Sequence, residues 1–240
     1  MWRKLFHNIV APLLFVVVSI SLALFAIDIL KYSKDNNITI IEPIRTEPEW
    51  IISPFDSMFK EVGELCDVDW VLLSAIASVE SKFTPDAVSK VGATGLMQVM
   101  PNVAKNLGYN PELLLDARVC TEVAAILLHE NKDMLRLSQS IEPDERLKFI
   151  LACYNAGYSR IADARRLARY HEENANEWSV VAEYLPLLAK EEFANHEVVK
   201  SGVFNGSAET IAYVRKVMRV YKRHRDRVAK FESRKCQSLI

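Results

Sequence analysis

The sequence has almost no net charge, and it lacks the residue patterns that mark metal and redox sites. Its 30 lysines and arginines balance 31 aspartates and glutamates, so the formal charge is −1. No global positive field favours nucleic acid as a partner. The five histidines are scattered, no HExxH occurs, and no two cysteines form a CxxC pair. These absences argue against a metal site, and no cofactor is predicted.

Three of the four cysteines can be interpreted from their positions in the sequence. Cys120 and Cys153 lie in apolar helical runs, and we predict that both are small core residues. A bridge between Cys66 and Cys120 would fit an oxidising compartment, but nothing in the sequence requires it. A cysteine peptidase that uses Cys153 has little support, because the sequence offers no plausible paired histidine.

A long apolar run covers residues 9–27 and follows Arg3 and Lys4. Some 20 apolar residues span the roughly 30 Å hydrocarbon core of a bilayer, and flanking positive charges stay on the cytoplasmic side. We therefore expect residues 1–30 to be a single-pass transmembrane signal-anchor in the cell membrane, with the rest of the chain on the periplasmic or extracytoplasmic side. A cleaved signal peptide, with Ser21-Leu22-Ala23 as a passable cleavage site, is the alternative.

The rest of the chain divides by composition into a linker, a helical domain and a basic tail. Residues 31–54 contain three prolines and no helical periodicity, which indicates a linker. Residues 55–224 contain helical patterns almost throughout and no internal repeat or run of alternating strand residues, so we expect one all-α domain. Residues 225–240 are the predicted basic tail. The segment Arg215–Lys235 carries ten lysines and arginines against two carboxylates. A solvated helix end is the simpler interpretation, and contact with an anionic surface is the alternative.

Helix boundaries follow from capping residues, prolines and glycines. Asp67 or Asp69 can cap the second helix, and Pro143 suits the first position of a later one. The predicted helices are Phe55–Leu65, Trp70–Lys82, Val99 or Pro101 to Leu107, Asp116–Ser138, Pro143–Gly157, Ser159–Tyr170, Trp178–Ala189, and one from Ser207 to at least Tyr221.

One carboxylate, Glu80, lies where the helical pattern predicts an apolar residue. It continues the apolar stripe of Leu73 and Ile76 by the three- and four-residue spacing. For an isolated glutamate at a helix end, contact with water is the simpler explanation. However, the negative end of the helix dipole and partial burial would both raise the pKa of this carboxyl group. A carboxylic acid that donates a proton near neutral pH needs such a raised pKa.

The segment after this carboxylate is a polar loop suited to contact with a ligand. Gly92 and Gly95 allow the backbone to pass close to another group. Gln98 offers both a donor and an acceptor. Met97 and Met100 offer soft apolar contact, although core packing is the simpler role for both.

Four short motifs occur in order along the chain. They are Glu80-Ser81, Gly95–Pro101 (GLMQVMP), Tyr154–Gly157 (YNAG, after Cys153 where alanine is usual) and Glu209–Val214 (ETIAYV). Together these motifs resemble the signature of the SLT-family lytic murein transglycosylases. The region Trp178–Thr210 is most similar to the catalytic domain of the F-type membrane-bound members, which carry a solute-binding-like domain before it. Residues 31–54 are too short for that additional domain.

The resemblance implies a lysozyme-like α-helical fold with a long groove for peptidoglycan glycan strands. It implies cleavage of the β-1,4 bond between N-acetylmuramic acid and N-acetylglucosamine to leave a 1,6-anhydro end, without a cofactor. Glu80 matches the single catalytic acid and base of the family. The positions that match substrate-binding residues are Ser89, Gln98, Met100, Tyr154, Asn155, Glu209 and Tyr213. For Glu209 and Tyr213, holding the last helix against the site is a comparably simple role.

Two other functions remain open at this point. A goose-type lysozyme would hydrolyse the same bond on the same fold, and a glycan-binding module of a cell-wall machine would bind without turnover. Hydrolysis ordinarily needs a second carboxylate. Asp67 and Asp69 precede the helix at its far end, about 16 Å from Glu80, and Asp86 is expected at the surface. A mechanism with one carboxylate therefore suits the sequence better.

Overall fold

The computed structural model describes residues 51–237, and the regular elements in this part of the chain are helices. The α-helices are α1 Asp56–Cys66, α2 Trp70–Glu80, α3 Pro101–Asn106, α4 Ala117–Leu135, α5 Pro143–Ala156, α6 Tyr158–Tyr170, α7 Trp178–Tyr184, α8 Glu191–Ala194 and α9 Ser207–Gln237. A 3₁₀ helix, Pro111–Leu115, lies between α3 and α4, and a second one, Pro186–Ala189, lies between α7 and α8. Isolated β-bridges join Val88 to Thr94 and Thr94 to Val99 in the loop after α2.

The predicted membrane anchor, residues 1–30, lies outside the described residues, as does the predicted linker up to residue 50. Among the described residues, no helix combines the length and the apolar character needed to cross a bilayer. The last residues of the predicted linker belong to the folded domain. The Asp56 carboxylate accepts hydrogen bonds from the backbone N–H groups of Ile51, Ile52 and Ser53 at 2.7, 2.8 and 2.9 Å.

Helix α2 forms the centre of the core. Asp69 caps its start by accepting a hydrogen bond from the Val71 N–H at 2.8 Å, which decides between the two predicted caps. Every residue from Val71 to Ala77 is buried, because α1 and α9 pack against α2. Apolar burial of this kind is the main favourable term in folding. The predicted burial of Leu73 and Ile76 is confirmed.

Helix α2 ends at Glu80, so the predicted end at Lys82 was wrong by two residues. Lys82 and Phe83 both adopt positive φ, at 55° and 64°, and this left-handed turn stops the helix. The Phe83 N–H returns to the Ala77 carbonyl at 3.3 Å. Glu80 is therefore the last helical residue, at the negative end of the helix dipole.

Two later helices also differ from the prediction. The predicted helix Trp178–Ala189 divides at Leu185, because Pro186 lacks the N–H that a continuing α-helix would need. Helix α9 continues to Gln237, well beyond Tyr221, so most of the predicted basic tail is helical. Helix α9 packs against both α2 and α5, which brings the last sequence motif to the end of α2.

Candidate active site

Glu80 lies in a cleft between the end of α2, the following loop, α5 and the start of α9. Burial is the largest influence on its carboxyl group and raises the pKa to about 7. The nearby Tyr213 hydroxyl and the Lys216 ammonium group lower this pKa, and the Glu209 carboxylate raises it. Because burial outweighs the stabilising neighbours, Glu80 can hold a proton near neutral pH.

The loop that forms one wall of the cleft is attached to α2 by Ser81. The buried Ser81 hydroxyl donates to the Leu96 carbonyl at 2.7 Å and accepts from the Thr84 N–H at 3.1 Å. Gly95 fixes the other side of the loop, because a Cβ there would lie 1.9 Å from the Leu114 carbonyl oxygen. Ser81 was not among the predicted site residues, although it belongs to the first sequence motif.

Gln98 and Ser89 each use one side-chain group to shape the loop and keep another for a ligand. The Gln98 Nε2 donates to the carbonyls of Ala87 and Gly95 at 3.0 and 2.9 Å. This leaves the amide oxygen of Gln98 as an acceptor. The Ser89 Oγ accepts from the Ala93 N–H at 2.9 Å, which leaves its O–H as a donor.

Tyr154 and Asn155, at the end of α5, connect the remaining walls. The Tyr154 hydroxyl donates to the Met97 carbonyl at 2.7 Å. Burial first, and then the Glu80 charge, raises the pKa of this phenol well above its usual value, so it remains a donor. The Asn155 Oδ1 accepts from the Thr210 hydroxyl at 2.8 Å, which links α5 to α9 and leaves the Asn155 amide N–H groups as donors.

A stripe on α9 faces Glu80 at the four- and three-residue spacing of one helix face. Glu209 is exposed and lines the cleft. Tyr213 is buried, and its hydroxyl has no partner at hydrogen-bond distance among the described residues, although it lies near enough to lower the Glu80 pKa. Lys216 completes the stripe and was missed from the sequence. Its spacing of three from Tyr213 was the available signal.

The sequence model of the family described as "Transglycosylase SLT domain" matches residues 57–177. This chain belongs to that family. The match contains Glu80, Ser89, Gln98 and the YNAG motif, whereas the α9 stripe lies beyond it. The prediction of an all-α, lysozyme-like SLT domain is confirmed.

Relatives and solved structures are similar to this SLT domain over most of the present chain. The membrane-bound lytic murein transglycosylase F of Marinobacter nauticus is 35% identical over 167 residues, which is 70% of this chain and 32% of the relative. Its counterpart in Shewanella oneidensis is 36% identical over 65% of this chain and 31% of the relative. The chain therefore spans about a third of the length of these curated relatives. The 70 kDa soluble lytic transglycosylase of Escherichia coli aligns with a TM-score of 0.51 and 22% identity over 71% of this chain and 24% of that one, a likeness of fold.

The SLT domain brings the predicted site residues together. Glu80 and the six predicted residues Ser89, Gln98, Met100, Tyr154, Asn155 and Glu209 all line the cleft. Tyr213 lies behind this surface, against Glu80. Met100 is 38% exposed at the rim, whereas Met97 is fully buried, so only the first of the two can touch a ligand.

The cysteines and acidic groups give no sign of a second chemistry in the described part of the chain. All four cysteines are free, so Cys66 and Cys120 do not form the bridge considered above. Burial raises the pKa of the Cys153 thiol, which is the opposite of what a nucleophilic thiolate requires. Within residues 51–237, no three histidine, cysteine or acidic side chains converge as metal ligands.

Proposed function

We propose that this SLT domain is a peptidoglycan lytic transglycosylase that cleaves the β-1,4 bond between N-acetylmuramic acid and N-acetylglucosamine and leaves 1,6-anhydromuramic acid ends. One observation supports the proposal above the others. The partly buried carboxyl group of Glu80, with a pKa of about 7, lines a cleft whose other polar groups are donors and acceptors suited to a sugar. A group that holds a proton at neutral pH can act first as an acid and then as a base.

The reaction needs only one such group. Protonated Glu80 gives its proton to the glycosidic oxygen as the bond from that oxygen to C1 of the muramic acid breaks. The substrate's own acetamido group stabilises the positive charge at C1. The C6 hydroxyl then attacks C1 and closes the anhydro ring, while the Glu80 carboxylate takes the hydroxyl proton. The proton that Glu80 donates stays on the departing N-acetylglucosamine hydroxyl, the proton of the C6 hydroxyl restores Glu80 to its acid form, and no water is consumed.

The remaining polar groups orient the sugar for this sequence. The Ser89 hydroxyl and the Asn155 amide can donate hydrogen bonds, and the Gln98 amide oxygen can accept one. Each of these side chains is already fixed by a hydrogen bond to the protein, so less rotamer entropy is lost when the substrate binds. The C6 hydroxyl must be held close to C1, and fixed positioning of this kind lowers the barrier substantially.

Hydrolysis by a goose-type mechanism is the second candidate, and Glu209 is the observation that favours it. This carboxylate lines the same cleft and is near enough to raise the Glu80 pKa. A second carboxylate could activate a water molecule as a general base. Glu209 is exposed at the surface of α9.

The ends of the released fragments distinguish these two reactions. We expect muropeptides from sacculi digested by the purified protein to carry anhydromuramic acid ends, each lighter by one water than the reducing ends that a hydrolase leaves. Mass spectrometry of the fragments measures this difference directly. Reducing ends throughout the digest would replace the transglycosylase proposal with the hydrolytic one, and binding without soluble fragments would leave a glycan-binding module.

We also propose that residues 9–27 anchor the enzyme in the cell membrane, with the SLT domain on the periplasmic side where peptidoglycan lies. The run of apolar residues after Arg3 and Lys4 supports this, and the matched F-type relatives are named membrane-bound. Alkaline carbonate should leave the full chain in the membrane and release a variant that lacks residues 1–30. A mature chain that begins just after Ala23 would instead identify a cleaved signal peptide.

A further inference from the structure

Three charged side chains of α6, which we call the α6 clamp, bind the segment that leads into α9. They are Arg160, Asp163 and Arg166, and their three-residue steps place neighbouring members side by side on the helix surface. The bound segment, residues 198–206, contains no helix or strand. Its backbone groups therefore need partners from outside secondary structure. The α6 clamp supplies partners for five of these groups.

The Asp163 carboxylate is the acceptor of the clamp. Its side chain is fully buried, and it accepts hydrogen bonds from the N–H groups of Lys200 at 2.8 Å and Ser201 at 2.9 Å. Arg166 also pairs with it. Burial acts to raise the pKa of this carboxyl group, but the hydrogen bonds from these three residues outweigh burial and lower the pKa. Asp163 therefore remains ionised and keeps the backbone at Lys200 and Ser201 in place.

The two arginines are the donors of the clamp. The Arg166 Nε donates to the Val198 carbonyl at 2.7 Å. The Arg160 guanidinium group donates to the carbonyls of Ser201 and, at 3.0 Å, of Gly202. Because the arginines bind carbonyl groups and the aspartate binds N–H groups, the clamp fixes both the donors and the acceptors of this backbone.

A chain of contacts leads from Arg160 to the cleft. The Arg160 guanidinium carbon lies 5.7 Å from the centroid of the Phe204 ring. This ring covers Gly206, since a Cβ on that glycine would lie 2.8 Å from the ring. The Gly206 carbonyl accepts the Thr210 N–H at 3.0 Å. The buried Thr210 hydroxyl then donates to the Asn155 Oδ1 at 2.8 Å.

Asn155 is the only member of this chain of contacts that lines the cleft among the described residues. Its Oδ1 is occupied by Thr210, and its two amide N–H groups are free to donate to a ligand. Because the amide group is planar, the contact with Thr210 also sets the direction of these donors. The position of Thr210 therefore decides where the Asn155 donors point.

We propose that Arg160 is a positioning residue for the Asn155 amide and acts through Phe204, Gly206 and Thr210. The inference rests on the function proposed above, in which Asn155 orients the sugar. Without the guanidinium group, the Phe204 ring loses the contact that keeps it over Gly206, and the first turn of α9 can shift. The Asn155 donors then lose their fixed direction, and small displacements of a positioning group reduce the rate of a reaction strongly.

A purely structural clamp is the competing explanation, and Arg165 provides the matched control for it. Arg165 is the buried arginine between Asp163 and Arg166 on the same helix. It also binds backbone carbonyls, those of Ala175 at 3.0 Å and Leu135 at 2.8 Å. Neither of these residues lines the cleft. Loss of Arg165 therefore removes a similar set of contacts from α6 without breaking the chain that leads to Asn155.

A double-mutant cycle in the full chain tests the inference. The measured quantity is kcat/KM on soluble peptidoglycan fragments, at a temperature at which circular dichroism shows every variant to be folded. We expect Arg160→Met to lower kcat/KM about three- to tenfold. In the Asn155→Ala background the same substitution should have no further effect, because the group that it positions is already absent. Arg160→Lys, which keeps a cation and a donor, should restore most of the rate.

The control variant should behave differently in the same cycle. We expect Arg165→Met to lower the midpoint of urea denaturation, and any effect that it has on kcat/KM should multiply unchanged with that of Asn155→Ala. If Arg160→Met does not fold, Phe204→Leu breaks the next contact in the chain and should show the same dependence on Asn155.

Each of the contrary results overturns the inference. An unchanged kcat/KM in Arg160→Met, or effects of Arg160→Met and Asn155→Ala that multiply, would reduce the clamp to a structural role. The same holds if Arg165→Met also loses its effect in the Asn155→Ala background. Wild-type activity of Asn155→Ala would remove the group that Arg160 is proposed to position, while the transglycosylase function stands. A wild-type chain that cleaves no fragments would instead refute the proposed function, and this inference with it.

Discussion

At the scale of single residues, the account depends on how the surroundings of Glu80 set its proton affinity. Burial at the end of α2 raises its pKa to about 7, although the Tyr213 hydroxyl and Lys216 act in the opposite direction. A carboxyl group with an ordinary pKa would be ionised at neutral pH and could not protonate the glycosidic oxygen. The two counteracting groups keep the carboxylate form accessible for the second half of the reaction.

The pH dependence of cleavage follows from this raised pKa. Glu80 must be protonated to begin the reaction, so we expect kcat/KM to decline as the pH rises through about 7. Initial rates on soluble peptidoglycan fragments between pH 5 and 9 measure this decline, which is the alkaline limb of the pH profile. A rate that remains constant over this range would show that the proton donor is not a carboxyl group with a pKa raised by partial burial.

Tyr213→Phe tests whether the unpartnered phenol acts on Glu80 or only packs. The hydroxyl lowers the Glu80 pKa, so its removal should raise that pKa and move the alkaline limb to higher pH, with turnover reduced about tenfold. Tyr170→Phe is the matched control, because Tyr170 is exposed on α6 and does not line the cleft. If turnover falls in the Tyr213 variant but the limb does not move, the residue has a packing role only.

The sequence alone identified most of the cleft residues but not what each one does. Glu80 stood out because it interrupts an apolar stripe, and Gln98, Tyr154 and Asn155 entered through motif resemblance. The sequence could not predict that the amide nitrogen of Gln98 donates its hydrogen bonds to carbonyl groups of the loop. Lys216 was not predicted at the site, and Glu209, although predicted there, was not considered as a second carboxylate, because helix packing brings together residues more than a hundred positions apart.

At the scale of elements, the loop between α2 and α3 forms one wall of the cleft. Gly95 is the residue of this loop whose conformation is most constrained. Gly95 has φ of 81°, and its α-carbon faces the Leu114 carbonyl and the Cys120 sulfur. The loop can therefore lie against the 3₁₀ helix and α4 only with glycine at this position. Gln98, three residues later, also has positive φ, at 49°, so its side-chain bonds hold a strained backbone.

Gly95→Ala should destabilise the protein and displace this loop. The new Cβ would lie 1.9 Å from the Leu114 oxygen, and we expect a loss of about 2–4 kcal/mol in the free energy of unfolding. Gly92→Ala is the control, because Gly92 also has positive φ but a Cβ there meets nothing within 4 Å, so only about 1 kcal/mol should be lost. Urea denaturation measures both values. Equal losses would show that close approach to the 3₁₀ helix does not fix the loop.

The sequence was sufficient to predict which segments form helices, but not the residues at which several of these helices end. Periodicity and proline positions located α2, α5 and α9, and Asp69 was one of two predicted caps. The ends of α2 and α7 were predicted too late, because a left-handed turn at Lys82 and a division before Pro186 depend on where the following segment packs. Helix α9 continues through most of the segment that was predicted to be a basic tail. Its earlier part packs on α2 and α5, and this packing stabilises the helix to which the last turns are added.

At the scale of the whole molecule, α2, α5 and α9 place four distant motifs around one cleft. The order of the motifs and the all-α class could be deduced from the sequence. Their convergence required the antiparallel packing of α9 along both other helices, which sets the stripe of Glu209, Tyr213 and Lys216 beside Glu80.

The raised pKa of Glu80 also affects the stability of the fold. Between pH 4.5 and about 7 the folded state binds this proton more tightly than the unfolded state, so stability falls as the pH rises across this window. Glu80→Gln removes the ionisation. The variant should match the wild type near pH 4.5 and be more stable by about 1–3 kcal/mol above pH 7. Equal stability of the two proteins at both pH values would contradict the raised pKa, and this measurement also confirms that the variant folds.

The rate at which Glu80→Gln releases soluble muropeptides from purified sacculi tests the central claim most directly. Glutamine preserves the size of the side chain but can neither donate nor recover a proton at this position. We predict a fall in rate of about 10²- to 10⁴-fold relative to the wild type, with binding to sacculi retained. Release at the wild-type rate would contradict the account, because no other group in the cleft has been assigned the proton transfers.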